Sequence, residues 1–316
     1  MGAGSHCVIG LGPVGAIVAC RLKAAGERVV AVESGEARAR SARQVGLLVI
    51  GDAGPVAMLD AIHDSVRNAA ADGPYDTVFV CVKANDLPTL VLDLPRLLGP
   101  TTTVVSLQNG LGIEDLLVPA VGLGRFVRGV VNFAGQVDEP GRVRLTFFQP
   151  PNWVGALDGA PDDRARTVAD LLTRIGLRSE VPSDIGIHVW RKVVHLAILA
   201  PVCALTRMNM RTALSHKELR RLSQGLLSEC IAVGDRLGYD CGNGFFETSM
   251  GYVLEAGDHP PSMLIDVLRG RPTEVSYING KVVEAADRLG LDVPLNRAIC
   301  ALVQSLEAVP SHIPHH

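Results

Sequence analysis

The stretch Cys7–Glu33, CVIGLGPVGAIVACRLKAAGERVVAVE, decides how the chain is read. The β-branched run at 7–10 predicts a short strand that ends in a turn. Pro13 to Ala25 reads as a helix closed by Gly26, and Arg28 to Glu33 as a second strand. Between the first strand and the helix, Gly10, Gly12 and Gly15 keep the G-x-G-x-x-G spacing. That triplet is weak by itself and specific only between a strand and a helix. There, Gly10 permits the tight turn and Gly12 lets backbone approach a pyrophosphate. Gly15 lets the helix pack close to the strand. The helix start at Pro13 and Val14 adds free N–H groups and the positive end of a dipole. Residues 10–15, with Leu11 between the first two glycines, are therefore predicted to bind a dinucleotide.

Glu33 ends the second strand, 18 residues after Gly15. An acid there accepts hydrogen bonds from ribose hydroxyls and repels a 2′-phosphate, which favours NAD over NADP. Ser34, with Arg38, Arg40 and Arg43 beyond it, points the other way, so both nucleotides stay open.

The same alternation continues. Thr77–Val82 predicts a buried strand, 86–98 a helix and Thr103–Ser106 a strand; Gly46–Leu59 reads as a hairpin around Asp52–Gly54. Residues 126–156 predict antiparallel strands, 162–175 a helix and 177–181 a last strand. Such order implies an α/β Rossmann domain with a mostly parallel sheet. From about Asp184 only helical periodicity remains, at 186–206, 217–237, 261–269, 274–289 and 295–308, the fourth capped by Thr273. The expectation is a Rossmann domain over 1–183 and an all-helical domain over 184–316.

Composition narrows the class. The 316 residues are 47% apolar but only 4% aromatic, so the core must be aliphatic; net charge is −3. No basic run appears, which argues against nucleic acid. Seven dispersed cysteines, with no C-x-x-C and no metal-like spacing, read as reduced thiols of a cytoplasmic protein. The N-terminus lacks the basic region of a signal peptide, and His6 stands where a myristoylation signal needs Ser or Thr. The apolar run Val193–Leu205 is too short to span a bilayer. The tail SHIPHH (311–316) is expected to be unstructured.

Only five of thirty basic residues are lysine: 23, 83, 192, 217 and 281. Lysine is the cation that burial deprotonates readily. Lys83 ends a buried strand, at the sheet edge where α/β folds bind ligands, and Asn109 of LQNG follows the next strand. Lys192 lies in HVWRKVVHLAILAP (188–201), a very apolar helix, with His195 three residues on and hence on the same face. In the helical half, Ser262 and Asp266 share a helix face, and Glu274 and Asn279 follow.

VIGLGPVG, CVKAND, LQNGLG, WRKVV and SMLIDVLRGRPTEVSYINGKVV together resemble the ketopantoate reductase family over nearly the whole chain. The resemblance implies a Rossmann domain and a helical domain whose cleft holds NAD(P) and a 2-oxo acid. It implies Lys192 as general acid and Glu274 as the carboxylate that steadies substrate and lysine. It further implies Ser262 as a contact for the substrate carboxylate, and Asn109 and Lys83 as cofactor and substrate positioners. Asp266 and His195 are the added substrate-side candidates. Two positions depart from the family, which usually carries asparagines four and eight residues after the lysine; here they are Leu196 and Ala200. The expected activity is NAD(P)-dependent reduction of a 2-oxo acid, with no metal, no membrane and no nucleic acid, and a homodimer allowed. The rival readings are a β-hydroxyacid dehydrogenase-like oxidoreductase and a dinucleotide sensor without turnover.

Overall fold

The computed structural model describes residues 3–51, 56–159, 162–255, 258 and 260–308. The expected turn Asp52–Gly54 and the tail 311–316 lie outside them. The chain divides into two compact units. One comprises Met1–Gln108 and Ile113–Ile185, the other Asn109–Gly112 and Gly186–His316.

The first unit runs β1 (Ser5–Ile9), α1 (Pro13–Ala24), β2 (Arg28–Val32), α2 (Glu36–Val45), β3 (Leu48–Ile50), β4 (Ala61–His63), α3 (Val66–Ala69) and β5 (Tyr75–Val80). It continues with α4 (Leu87–Leu90), β6 (Leu98–Ser106), α5 (Ile113–Val121), β7 (Phe126–Val130), β8 (Phe133–Glu139), β9 (Arg142–Phe148), β10 (Asn152–Gly155), α6 (Asp163–Arg174) and β11 (Ser179–Glu180). Eight strands form one sheet in the order β11-β10-β7-β6-β5-β1-β2-β4. All neighbours from β7 to β4 pair in parallel, and β10 joins β7 antiparallel. Val8, Val29, Val30, Val78, Phe79 and Val105 are fully buried, as a sheet covered on both faces requires. Chain order reverses across β1 and β5, so the loops after those strands meet where α/β sheets hold ligands. The glycine loop follows β1 and Lys83 follows β5.

Some elements differ from expectation. The helix expected over 86–98 is a single turn, α4, followed by a 3₁₀ turn at Leu94–Leu97. Pro95 lacks an N–H and disfavours helix in the residue before it. The flanks of the 46–59 segment meet at a Leu47–Ala57 antiparallel bridge, but β3 takes β9 as a parallel partner, in a small sheet ordered β3-β9-β8.

The second unit is helical: α7 (Ile185–Ala197, whose first residue groups with the first unit), α8 (Ala200–Thr206), α9 (Met210–Ser215), α10 (Lys217–Arg236), α11 (Phe245–Glu255), α12 (Ser262–Leu268), α13 (Asn279–Leu289) and α14 (Pro294–Ala308). Its core gathers Trp190, Val193, Val194, Ile198, Leu226 and Val282. Trp190 stacks on Tyr239 with centroids 5.6 Å apart. The helix expected over 186–206 breaks at Ile198–Leu199. Pro201 cannot donate to the Ala197 carbonyl four residues back. Asn279 Nδ2 does so instead, at 3.0 Å, from a fully buried side chain. The whole stretch Ile185–Thr206 is long and apolar enough to cross a membrane, yet 67% of its most apolar window is buried inside the protein, as in a core helix. The helix expected from 274 begins only at Asn279. Thr273 Oγ1 accepts from Val275 N–H at 3.2 Å and so caps a 3₁₀ turn, Val275–Tyr277, that precedes it.

Candidate active site

The glycine loop shows three different uses of a missing side chain. Gly10 has φ +92°, a left-handed value that favours glycine. A Cβ on Gly15 would sit 1.9 Å from the Gly10 carbonyl oxygen, so α1 packs against the loop only because the side chain is absent. A Cβ on Gly12 would meet nothing within 4 Å. The space over Gly12 is open, beside the free N–H groups of the first turn of α1. These features fit the pyrophosphate of a dinucleotide. Leu11 is core, 3% exposed, and takes part through its backbone; Pro13 is exposed and Val14 half-buried.

Glu33 is turned inward and only 3% exposed. Its Oε2 accepts the Leu11 N–H at 2.9 Å, and its Oε1 accepts the Gly35 N–H at 2.6 Å and Arg38 Nη2 at 2.7 Å. The carboxylate thus ties the glycine loop to the start of α2. That clamp has no local signal, because its partners come from both sides of β2. Ser34 stays exposed beside it. Lys83 caps the 3₁₀ turn after β5, and its carbonyl accepts the Asp86 N–H at 3.0 Å.

In the second unit, Asn109, Leu196, Ala200, Ser262, Met263, Asp266, Glu274 and Ile278 line one small pocket. Four segments meet there. Asn109 is set by its neighbours: Gly110, at φ +101°, lies too close to Tyr277 for any Cβ, and Leu111 N–H donates to the Tyr277 carbonyl at 2.9 Å. Ser262 opens α12 and Asp266 lies one turn later, 6% exposed. Glu274 begins the 3₁₀ turn, its carbonyl accepting the N–H groups of Tyr277 and Ile278. The i,i+4 pair Ser262 and Asp266 therefore lines the pocket wall, with Ser262 exposed and Asp266 buried.

Lys192 and His195 are not among the lining residues. Lys192 sits one helical turn before Leu196, on the same face of α7. Burial pulls its ammonium down from 10.5 to about 8, and no carboxylate opposes that pull. His195 turns toward α11, where its ring stacks on Tyr252 at 4.4 Å and Nε2 meets the Oγ of fully buried Ser249 at 3.1 Å. Burial, and then the charges of Lys192 and Arg191, lower its pKa to about 3, so it is neutral near pH 7. Structure therefore brings Asn109, Ser262, Asp266 and Glu274 together, and gives His195 protein partners instead.

The sequence model described as Ketopantoate reductase PanE/ApbA matches residues 6–159, and the one described as Ketopantoate reductase PanE/ApbA C terminal matches 184–307. The chain belongs to the ketopantoate reductase family. The family match favours neither rival reading. A 2-dehydropantoate 2-reductase of Archaeoglobus fulgidus is 29% identical over 304 residues, covering 95% of this chain and 97% of that one. One of Streptococcus pyogenes is 26% identical over 307 residues, covering 96% and 97%. Among solved structures, the ketopantoate reductase of Ralstonia eutropha JMP134 superposes with TM-score 0.86 at 22% identity, covering 96% of this chain and 98% of that one. D-mandelate dehydrogenase with NADH and anilino(oxo)acetate does so with TM-score 0.86 at 21% identity and the same coverage. At such identities these two structures speak for the ketopantoate reductase fold.

Proposed function

We propose that this member of the ketopantoate reductase family is an oxidoreductase that reduces the carbonyl of a 2-oxo acid to a 2-hydroxy acid with NAD(P)H. The single observation that carries the reading is the pocket where Asn109, Ser262, Asp266 and Glu274 converge, one helical turn from a lysine whose pKa lies near 8. Gly12 and the first turn of α1 would hold the pyrophosphate, and Glu33 and Ser34 flank the adenosine end. The bound nicotinamide supplies the hydride.

The chain's own residues handle binding and the proton. Reduction leaves negative charge on the carbonyl oxygen, and a donor within hydrogen-bond reach typically accelerates such a step by about 10²–10⁴-fold. Lys192 holds that proton, and a pKa near 8 keeps it mostly protonated at neutral pH yet able to release. Ser262 and Asn109 donate to the substrate carboxylate and carbonyl. Glu274 steadies the substrate and the lysine as an acceptor, with Asp266 one turn after Ser262 on the same pocket wall.

Leu196 and Ala200 decide the substrate class. Their side chains cannot hydrogen-bond, and a substrate hydroxyl left unpaired against them loses on the order of 1–3 kcal/mol. An apolar tail instead gains roughly 25 cal/mol per Å² buried. The preferred 2-oxo acid therefore has a larger or less polar side chain than ketopantoate. NAD(H) is preferred over NADP(H) by a small margin. Glu33, though turned inward, keeps a negative charge next to the ribose edge that disfavours a 2′-phosphate, and Arg38 pairs with it and weakens that repulsion.

The test is nicotinamide oxidation over ketopantoate and branched or aryl 2-oxo acids, with each nucleotide. Turnover of a branched or aryl acid with the higher kcat/KM is expected. A preference of tenfold or more for ketopantoate contradicts the substrate assignment, and one of tenfold or more for NADP(H) contradicts the nucleotide assignment.

A further inference from the structure

Asn109 lies on a four-residue excursion of the chain. Residues Asn109–Gly112 group with the second unit, while Gln108 before them and Ile113 after them belong to the first. Arg128, the middle residue of β7, stands at the base of this excursion, 1% exposed. Its Nη1 donates to the Gln108 carbonyl at 2.8 Å, to Ser106 Oγ at 3.1 Å and to the Gly129 carbonyl at 3.2 Å. Its Nε lies 3.9 Å from Glu114 Oε2, in the first turn of α5. Ser106 Oγ also donates to the Gln108 side-chain oxygen at 2.5 Å, which fixes the same residue a second time. One guanidinium thus engages the last residue before the excursion and the second residue after it.

Packing does not call for a charge here. The neighbouring β7 positions Phe126, Val127 and Val130 are buried and apolar, and a buried cation is costly unless several groups compensate it. The compensation comes from three acceptors on Nη1, the Gln108 carbonyl among them, and from the charge of Glu114, which faces Nε at 3.9 Å, beyond hydrogen-bond distance.

We infer that Arg128 is a positioning residue that sets Asn109 by clamping the base of the 109–112 excursion. The inference rests on the proposed role of Asn109 at the substrate. Hydrogen exchange and a kinetic double-mutant cycle with Asn109→Ala test it, with Arg128→Lys as the probe. Arg128→Lys is expected to speed amide exchange in 109–112 by about tenfold or more while β1 and β5 keep their protection. It is also expected to lower kcat/KM by about tenfold with Asn109 present, and by less than about twofold in the Asn109→Ala background. A purely structural arginine would cost the same in both backgrounds, and equal losses, or unchanged exchange in 109–112, overturn the inference. Should Arg128→Lys fail to fold, Glu114→Gln removes the other end of the clamp and is read in the same cycle for the same coupling. An unaffected Asn109→Ala variant, or a wild type that reduces no 2-oxo acid, counts against the functional reading, while the exchange measurement still decides whether Arg128 holds the segment.

Discussion

The glycine loop and the pocket of the helical unit are built in opposite ways. The loop is a backbone site: Gly10, Gly12 and Gly15 matter for what they lack, and they are close in sequence. The pocket is a side-chain site, assembled from Asn109, α7–α8, α12 and the turn before α13. A backbone site tolerates almost no change where chain meets chain, whereas a side-chain site can be retuned one residue at a time. The largest effect is therefore expected in the loop, and it should split by position. Gly15→Ala puts a Cβ 1.9 Å from a backbone oxygen and is expected to cost more than about 3 kcal/mol, or to prevent folding. At Gly12 a Cβ meets no protein atom within 4 Å, so for Gly12→Val thermal unfolding should stay within about 2 °C of wild type while calorimetric nucleotide affinity falls at least tenfold. Equal damage at both positions would mean that Gly12 serves folding and not a ligand.

In the helical unit the next effect is a pH dependence. Reduction needs Lys192 protonated. With its pKa near 8, kcat/KM for reduction should be level below that value and fall about tenfold per pH unit above it, while oxidation of the 2-hydroxy acid rises through the same point. His195, held near 3, adds no ionisation near neutrality. The same shift has a stability counterpart. Because folding lowers the lysine pKa from 10.5 to about 8, the unfolded chain binds the proton more tightly between those values. The cost of burying the charge is full below pH 8 and is relieved as pH rises toward 10.5. Lys192→Met should therefore raise the unfolding temperature at pH 7 and have less effect at pH 10.5; no difference between the two pH values would show that the ammonium is solvated.

A smaller effect, about tenfold, is expected from the pocket wall. Leu196→Asn/Ala200→Asn should move the ratio of kcat/KM between ketopantoate and an aryl 2-oxo acid toward ketopantoate by that factor, since one well-placed polar partner is worth on the order of 1–3 kcal/mol. An unchanged ratio would show that these two residues do not face the substrate tail.

The contrast also explains what could be read without coordinates. A backbone site is legible because a tight turn, a close approach and an open cradle each demand glycine at a set spacing, so residues 10–15 declare themselves. The α12 pair Ser262 and Asp266 was legible for a similar reason, as helical spacing is local. The convergence of Asn109, Glu274 and α12 came only from the family resemblance, since nothing near one segment indicates another 80 or 160 residues away. Glu33 shows the same limit: its position predicts an exposed acceptor, while Leu11 and Arg38 turn it inward. The break after Ala197 hides because the apolar period runs through it. Pro201 marks it only when one asks which donor satisfies the carbonyl four residues earlier, and the answer, Asn279, is 82 residues distant. Arg128 left only a faint mark, one arginine in the apolar run FVRGVV.

Lys192→Ala is the most direct test of how labour is divided between the two regions. Turnover of the best 2-oxo acid and the Kd for the nucleotide should be measured on the same preparation. The expected result is a kcat lower by at least about 10²-fold, loss of the ionisation near 8 from the pH profile, and a nucleotide Kd within about twofold of wild type, because the lysine acts on charge that develops at the carbonyl and not on the dinucleotide. Wild-type turnover with the ionisation near 8 intact would contradict the account and remove Lys192 from the chemistry.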